Sequence, residues 1–441
     1  MSAPLVACLG LAAMALGAQA PLPADAQPGQ RLELDAVLRL ALERSPQVAG
    51  AEATTRAMRQ RIVQAGALPD PMLSVGWAGR PVPFDTMAGD ASSYRGLSIS
   101  QQFPYPGKRR LATQVAARDA EAATSDCESA RRQLARSVRM AFAEYFYADR
   151  TLEVTLQNKQ LLERLTEIAE SQYRVGKAMQ QDVLRAQVEQ SMLLARVAEL
   201  EQKRAEAVSE LNTAMRNAPD QPLARPGALP LARLRGTLDQ LQAAASAQAP
   251  DLARDRASIA RDKASLALAS LGRRPDIGVG YMFEQRTGQA DMHGLTVTVN
   301  LPEFHRRRLN AAVGEAAESE RAAEQTEQAH TLAIRNELGR QVAAAHAAEQ
   351  LIDLYQQAIV PQSSLTLESA MGEYQVGKLD FLSVLTNFTT VLNYETDYYR
   401  QLADHEIAIA NIESLTGALD GIVPAAASAT QADRKEPGSH D

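Results

Sequence analysis

Two closely similar stretches of sequence decide the fold of this chain: Gln172-Tyr173-Arg174-Val175-Gly176-Lys177 and, 201 residues later, Glu373-Tyr374-Gln375-Val376-Gly377-Lys378. Other landmarks return in the same order at nearly the same distance, as when Pro71 returns as Pro275. A unit of about 200 residues is far longer than the repeats of solenoid proteins. The chain is therefore a tandem duplication, and each half is expected to build the same part of one object.

The composition favours long helices over a thick globular core. Charged residues make up 22% of the 441 residues and aromatic residues only 5%. No proline occurs between Pro106 and Pro219, and proline breaks helix interiors. A continuous helix from Arg109 to Ser171 would be about 95 Å long. The net charge of -7, without a basic stripe that carries aromatic residues, argues against a nucleic-acid surface.

The order of elements divides the chain into two repeats. We assign the first repeat to residues 27–217, a Pro-rich connector to 218–235 and the second repeat to 236–420. Each repeat is expected to contain a helix, two strands, and two long helices separated by a short break. The first helix should run from about Asp35 to Ala67.

The long helices show the spacing of helices that pack side by side. Apolar residues follow one another at intervals of three and four, which is typical of coiled coils. In the two repeats they are Leu193, Val197, Leu200, Ala207 and Leu211, and then Val384, Phe388, Val391, Tyr398, Leu402, Ile409 and Ile412. Pro361 interrupts the second repeat's long helix and predicts a kink there.

The ends of the chain have features of processing and disorder. Residues 1–26 resemble a signal peptide, because the apolar run Leu5–Ala18 is too short to span a bilayer. Cys8 follows a lipoprotein-like Leu5-Val6-Ala7 but comes before the apolar run has finished, so we expect export without lipidation. In addition, no Lys or Arg precedes the run. A misplaced start codon would explain both irregularities. Residues 421–441 are expected to be disordered.

Four short stretches alternate apolar and polar residues, which predicts strands with two different faces. Each has about 8–10 residues, close to the 9–11 that a tilted strand needs to cross a bilayer. The apolar positions are Leu73, Val75, Trp77, Leu97, Ile99, Phe103, Ile277, Val279, Tyr281, Phe283, Leu295, Val297, Val299 and Leu301. The polar faces suit the water-filled side of a membrane barrel, although the pattern equally fits two soluble hairpins.

The number of strands limits the membrane interpretation. Four strands cannot close a membrane barrel, because about eight is the smallest closed number. An open sheet edge cannot face lipid. If these strands lie in a membrane, several chains must therefore share one barrel.

With its tandem halves, the chain resembles the TolC family of outer-membrane efflux proteins over nearly its whole mature length. The resemblance is carried by Phe103-Pro104-Tyr105-Pro106-Gly107-Lys108-Arg109, by the two Tyr-x-Val-Gly-Lys turns, and by the segment from Phe381 to Tyr399. It implies a mainly α fold with a small β part. Three chains would form a homotrimer with a twelve-stranded transmembrane β-barrel and a periplasmic α-barrel of coiled-coil-like helices.

The resemblance also implies a function. Such proteins lie in the outer membrane of Gram-negative bacteria and form the passive exit duct of a tripartite exporter. The partners would be a periplasmic adaptor protein and an inner-membrane pump. The Phe103–Arg109 stretch is most similar to the branch that serves heavy-metal pumps of the resistance–nodulation–division type. The alternatives are a drug-efflux or type I secretion channel, and a soluble periplasmic coiled-coil scaffold.

Candidate functional residues lie at and near the two turns. By resemblance, the turns Val175-Gly176-Lys177 and Val376-Gly377-Lys378 would be the tips that dock the adaptor. Asp182 and Tyr374 fall at positions that pair in the family's closed periplasmic gate. A plain structural interpretation also fits, with the glycines reversing a helical hairpin, Asp182 on an exposed helix face and Tyr374 packing beside its turn.

No pattern of an enzyme or a cofactor site is found. Gly107-Lys108 and Gly176-Lys177 lack the glycine spacing and the following Ser or Thr of a phosphate-binding loop. The 6 histidines include no pair at i and i+4, so no helical metal pair is present. After signal cleavage Cys127 would be the only cysteine, which excludes an intrachain disulfide and a cysteine metal site. We expect no catalytic residue, no metal ligand and no cofactor.

Overall fold

The computed structural model describes residues 31–80, 86–87, 90, 92–286, 288–302 and 306–417 as a mainly helical chain with one antiparallel sheet. This confirms the predicted fold class. The expected signal peptide and disordered tail lie outside the described residues. The boundaries of the two repeats and the connector remain predictions.

The elements follow the same order in both halves. In the first half they are α1 (Leu34–Arg44), α2 (Pro46–Gly66), β1 (Met72–Ala78), β2 (Tyr94–Phe103), α3 (Lys108–Arg174) and α4 (Gln180–Met215). In the second half they are α5 (Leu238–Gln248), α6 (Pro250–Leu271), β3 (Ile277–Gln285), β4 (Met292–Val299), α7 (Arg306–Leu354), a π-helical turn (Tyr355–Ile359), α8 (Val360–Gln375) and α9 (Phe381–Thr416).

The prediction of one helix from Asp35 to Ala67 is wrong, because the chain breaks at Ser45. Ser45 takes an extended backbone conformation, and its side chain accepts a hydrogen bond from the Val48 N–H at 3.3 Å. Pro46 then occupies the first turn of α2, where a missing N–H is tolerated. The second half breaks in the same way at Ala249-Pro250.

The long helices extend as the sequence predicts. Helix α3 contains 67 residues and is about 100 Å long at 1.5 Å per residue. The interruption expected near Pro361 takes the form of a π-helical turn that ends just before Val360. Among the described residues, the helices all lack an apolar run of the length that a membrane crossing requires.

The four strands form one sheet in the order β1-β2-β3-β4, with every neighbouring pair antiparallel. The central pairing of β2 with β3 joins the two halves of the chain. In the register, Leu73 lies opposite Ile99, Ile99 opposite Tyr281, and Tyr281 opposite Leu295. Apolar side chains therefore lie in rows across one face of the sheet.

The helices pack along most of their length, and α3 is central to them. It contacts α2 and α6 toward its start, and α4 and α9 further along. At the far end, a core around Leu162, Leu193, Phe381 and Phe388 lies below the two turns. The predicted 3/4 spacing is confirmed at Leu193 and its fellow positions, most of which are buried.

Candidate functional site: two matching helical turns

The two turns have the same backbone geometry. After α3, the N–H of Lys177 donates to the Gln172 carbonyl at 2.8 Å. After α8, the N–H of Lys378 donates to the Glu373 carbonyl at 2.9 Å. In each turn the bond spans five residues and satisfies a carbonyl at a helix C-terminus, as in a Schellman motif.

A glycine in the left-handed region makes each reversal possible. Gly176 has φ +73° and Gly377 has φ +76°, values that side-chain-bearing residues rarely adopt. A Cβ added at either glycine would meet nothing within 4 Å. The glycines are therefore required by backbone conformation and not by lack of space.

The side chains beside the glycines face solvent. Val175 is 65% exposed and Val376 is 67% exposed. Lys177 and Lys378 are exposed as well. Each turn thus presents an apolar and a cationic side chain on a rigid base, which suits contact with another protein.

The structure brings Asp182 and Tyr374 into the same region, although they belong to different halves. Asp182 lies in the first turn of α4, where its carboxylate accepts a hydrogen bond from the Met179 N–H at 3.2 Å. Tyr374 is buried, and its ring lies 5.5 Å from that of Phe381. Burial, and then the nearby charge of Asp182, raise the pKa of the Tyr374 hydroxyl.

The Tyr374 hydroxyl is an unusual group in this region. Within the described part of the chain it is buried and has no hydrogen-bond partner. Leaving a buried polar group unpaired is costly, so such groups call for a specific explanation.

Asp380, at the start of the last helix, is a further residue of this region, and its role was not predicted from the sequence. Asp380 caps α9, since its carboxylate accepts the Ser383 N–H at 2.9 Å. The spacing Asp380-x-x-Ser383 ahead of an apolar helix was the available signal. Phe381, the first residue of the capped helix, is the residue whose ring lies against Tyr374.

The sheet presents one apolar and one polar face. On the apolar face, Val75 is 77% exposed and Leu295 is 75% exposed. The opposite face carries Ser98, Ser100, Thr296 and Thr298, as the alternation predicted, and in the register Ser100 lies opposite Gly280 and Gly280 opposite Thr296. A sheet face that is apolar and exposed along four strands is unusual on a soluble protein and typical of a membrane or partner surface.

Within the described ranges, no group of three or more His, Cys, Asp or Glu side chains is placed to hold a metal ion. Buried charges instead form ion pairs between helices. Glu406 is 1% exposed and lies 2.6 Å from Arg139. The imidazole of His405, also 1% exposed, has its Nε2 within hydrogen-bond distance of a Glu349 carboxylate oxygen, at 3.3 Å.

Comparison with known proteins finds one family match and solved structures with a similar arrangement of helices and strands. Residues 37–215 match the family described as Outer membrane efflux protein. Comparison with curated proteins finds no match. Among solved structures, CusC has a TM-score of 0.75 at 14% identity, covering 87% of this chain and 92% of that chain, and its published description concerns folding and transmembrane channel formation.

Two further solved structures have the same fold. The outer membrane protein VceC of Vibrio cholerae has a TM-score of 0.73 at 19% identity, covering 87% of this chain and 96% of that chain. The MtrE outer membrane channel of Neisseria gonorrhoeae, in its open state, has a TM-score of 0.72 at 17% identity, covering 88% of this chain and 89% of that chain. The chain thus matches the outer membrane efflux protein family over residues 37–215 and has the fold of solved outer-membrane channels over most of its length.

Proposed function

We propose that three copies of this chain share a twelve-stranded barrel in the outer membrane of a Gram-negative bacterium and continue into the periplasm as a helical tunnel. The observation that carries this proposal is the exposed apolar face of the sheet together with its two edges, which are unpaired among the described residues. Its apolar face is exposed, and within the described chain β1 and β4 each pair with only one strand. In lipid, the unpaired edges of such a sheet would be prohibitively costly.

The direction of the strands supports a shared barrel. Neighbouring strands alternate in direction, so β4 of one chain would run antiparallel to β1 of the next. Any number of chains therefore gives an even-stranded antiparallel barrel, which is the usual membrane form. Two chains would give eight strands and three would give twelve, and the resemblance to the TolC family favours three.

The proposed activity is that of a passive exit duct. The energy would come from an inner-membrane pump of the resistance–nodulation–division type, which a periplasmic adaptor would connect to this channel. The exposed tips Val175-Gly176-Lys177 and Val376-Gly377-Lys378 are the docking sites that this proposal requires. Their matching geometry supports equivalent contacts by both halves.

Asp182 and Tyr374 are proposed as part of the periplasmic gate. Their closeness and the unpaired, buried Tyr374 hydroxyl support this role. Because the hydroxyl is enclosed within the single chain, the missing hydrogen-bond partner would come from a shift of the surrounding helices as the gate opens or closes. The gate residues lie directly beside the docking tips, so adaptor binding could be transmitted to them.

Heavy-metal cations are the proposed cargo. The support is the resemblance of Phe103–Arg109 to the metal-efflux branch. A wide water-filled duct needs no tight metal site. Growth of a deletion strain on a panel of metals and drugs tests this proposal: sensitivity to metals supports it, and sensitivity to drugs alone would contradict it.

The mass of the protein extracted in mild detergent tests the shared barrel. Light scattering corrected for bound detergent should give a trimer that needs detergent to stay in solution. A monomer or dimer that is soluble without detergent would favour the periplasmic scaffold instead. Cysteines placed at Leu73 in β1 and Val297 in β4 should cross-link chains only when both are present.

A further inference from the structure

We infer that the sheet carries a phospholipid site at its periplasmic end, with an acyl chain against Phe103 and Ile277 and the phosphate on Arg109 and Arg274. This inference rests on the proposed position of the sheet in the outer membrane. The site is a groove, here called the junction groove, where the strands meet the helices. Leu68, Phe103, Tyr105, Arg109 and Ile277 are among the residues that line it.

The junction groove opens on the apolar face of the sheet. Phe103 lies opposite Ile277, and Ile277 lies opposite Val299, so these side chains continue the apolar rows. Phe103 is 43% exposed and Ile277 is 47% exposed. The groove is therefore an extension of the surface that would face lipid.

A neighbouring chain would leave the junction groove uncovered. Phe103 and Ile277 belong to β2 and β3, the two inner strands. Chains that close the barrel pair along β1 and β4. The groove lies between those edges, so the occupant that reaches it is the surrounding bilayer.

Cationic side chains border the apolar part of the groove. The Arg109 guanidinium donates through Nε and Nη2 to the Gly66 carbonyl, which leaves Nη1 outside that bond. The Arg274 guanidinium lies 5.8 Å from the centre of the Tyr105 ring, on a wall of the groove. A guanidinium is planar and matches a phosphate with two parallel hydrogen bonds.

The same end of the sheet is rich in arginine. Its exposed arginines are Arg109, Arg110, Arg273, Arg274, Arg307 and Arg308. Asp276 does little to neutralise them, because Lys108 Nζ lies 2.7 Å from its carboxylate. Asp70 is an exposed carboxylate at the same end. Basic clusters beside an apolar membrane surface attract anionic headgroups.

The arrangement of the apolar strip next to the arginines favours a phospholipid over a free anion. An apolar strip on the strands leads directly to cations at the start of the helices, as the tail of a phospholipid leads to its phosphate. A free anion would use the arginines but not Phe103 or Ile277. Tyr105 lies at the boundary, where aromatic residues of membrane barrels are commonly found.

Native mass spectrometry of the full-length protein, stripped of lipid in detergent and titrated with dioleoylphosphatidylglycerol, tests this inference. The variant Arg109→Gln/Arg274→Gln should bind the tightest lipid at least about tenfold more weakly, since it loses the charge-assisted hydrogen bonds of both arginines to the phosphate. The control Arg164→Gln/Arg335→Gln removes two exposed arginines from α3 and α7, distant from the groove, and should bind as the wild type does.

Arg274→Gln alone guards against misfolding of the double variant, because it keeps the bond from Arg109 to Gly66. It should still weaken lipid binding severalfold. Equal binding by the wild type and both groove variants would overturn the inference. So would equal binding of dioleoylglycerol, which has the acyl chains but no phosphate, or equally tight binding of glycerol 1-phosphate, which has no acyl chain. A trimer that needs detergent but shows equal binding would refute only the lipid site, whereas a soluble monomer would refute the barrel itself.

Discussion

Ile99 of β2 lies directly opposite Tyr281 of β3, and this pairing joins the two halves of the duplicated chain in one sheet. Both side chains belong to the apolar face, where Ile99 is 50% and Tyr281 is 46% exposed. Ser100, the next residue in β2, points to the opposite face and lies opposite Gly280. Adjacent positions of one strand can therefore compare the two faces of the sheet.

Arginine at Ile99 should destabilise the membrane protein, whereas arginine at Ser100 should be tolerated. A charged side chain on the lipid face near the bilayer centre costs about 2–4 kcal/mol, while a side chain in the lumen stays in water. Urea titration of the protein in lipid vesicles, with the folded fraction read from its electrophoretic mobility, measures the difference in the free energy of unfolding. Equal loss of stability in both variants would contradict a lipid-facing Ile99.

Replacing Gly176 or Gly377 by alanine should lower stability by about 1 kcal/mol each, because alanine is strained at positive φ. Thermal unfolding in detergent measures the effect. Gly314 and Gly339 are matched controls inside α7, where an added Cβ also meets nothing within 4 Å. Alanine at these two positions should stabilise by about 0.5–1 kcal/mol, since glycine weakens helix interiors.

Larger residues at the two turn glycines should impair efflux without preventing insertion into the membrane. The open space around both positions accepts a side chain, but the backbone and the exposed surface of the tip would change. Growth under metal stress, together with the amount of protein in outer-membrane fractions, separates the two effects. Normal efflux by a Gly176→Val/Gly377→Val variant would count against docking at these tips.

Tyr374→Phe and Asp182→Asn should each raise the single-channel conductance in a planar bilayer. The first removes the hydroxyl for which the gate would supply a partner, and the second removes the nearby charge. An asparagine oxygen can still accept the Met179 N–H, so α4 keeps its start. Tyr173→Phe is the control, since Tyr173 is the equivalent residue of the first repeat and is 45% exposed. Unchanged conductance in Tyr374→Phe would exclude the hydroxyl from the gate.

The helical region should lose stability as the pH falls below about 6.5, and His405 should be one cause. Burial lowers the pKa of His405 from its ordinary value of 6.5, against the opposing effect of Glu349. Below pH 6.5, His405 of the unfolded chain is protonated, whereas His405 of the folded chain takes up its proton only at a lower pH. Each pH unit down to the lowered pKa then costs up to about 1.4 kcal/mol.

Thermal unfolding of His405→Gln between pH 7 and pH 5 checks this prediction, because the variant should show a smaller loss than the wild type. Glu406 works in the opposite direction. Burial raises the pKa of the Glu406 carboxyl in spite of Arg139, so the stability that it contributes increases as the pH falls from that raised pKa toward the ordinary value of 4.5. Parallel pH profiles for the wild type and His405→Gln would rule out His405 as the source.

Much of the fold follows from local patterns in the sequence. The alternation around Ile99 and Val279 gave the strands and their faces, and the absence of proline after Pro106 gave the length of α3. The pairing of β2 with β3 was beyond such reasoning, because it brings together residues of distant segments. Ser45-Pro46 could have indicated the helix break, since proline is favoured at the first helical position.

The candidate site was predictable to different degrees. The turns at Gly176 and Gly377 followed from sequence, since only glycine adopts their positive φ without strain. The closeness of Asp182 and Tyr374 came from a family resemblance and from no local pattern. The junction groove was missed because Leu68, Phe103 and Ile277 come from three separate segments that meet only in the folded chain.

The π-helical turn has a consequence for how the two halves compare at the proposed mouth. From Arg109 to Gly176 the first half contains 68 residues, whereas from Arg307 to Gly377 the second half contains 71. In a ring of three chains, the tips of the first and second repeats would alternate. The first follows a continuous helix, and the second follows a helix interrupted by the π-helical turn. The mouth would then have threefold and not sixfold symmetry, so six identical partner molecules would occupy two inequivalent sets of positions.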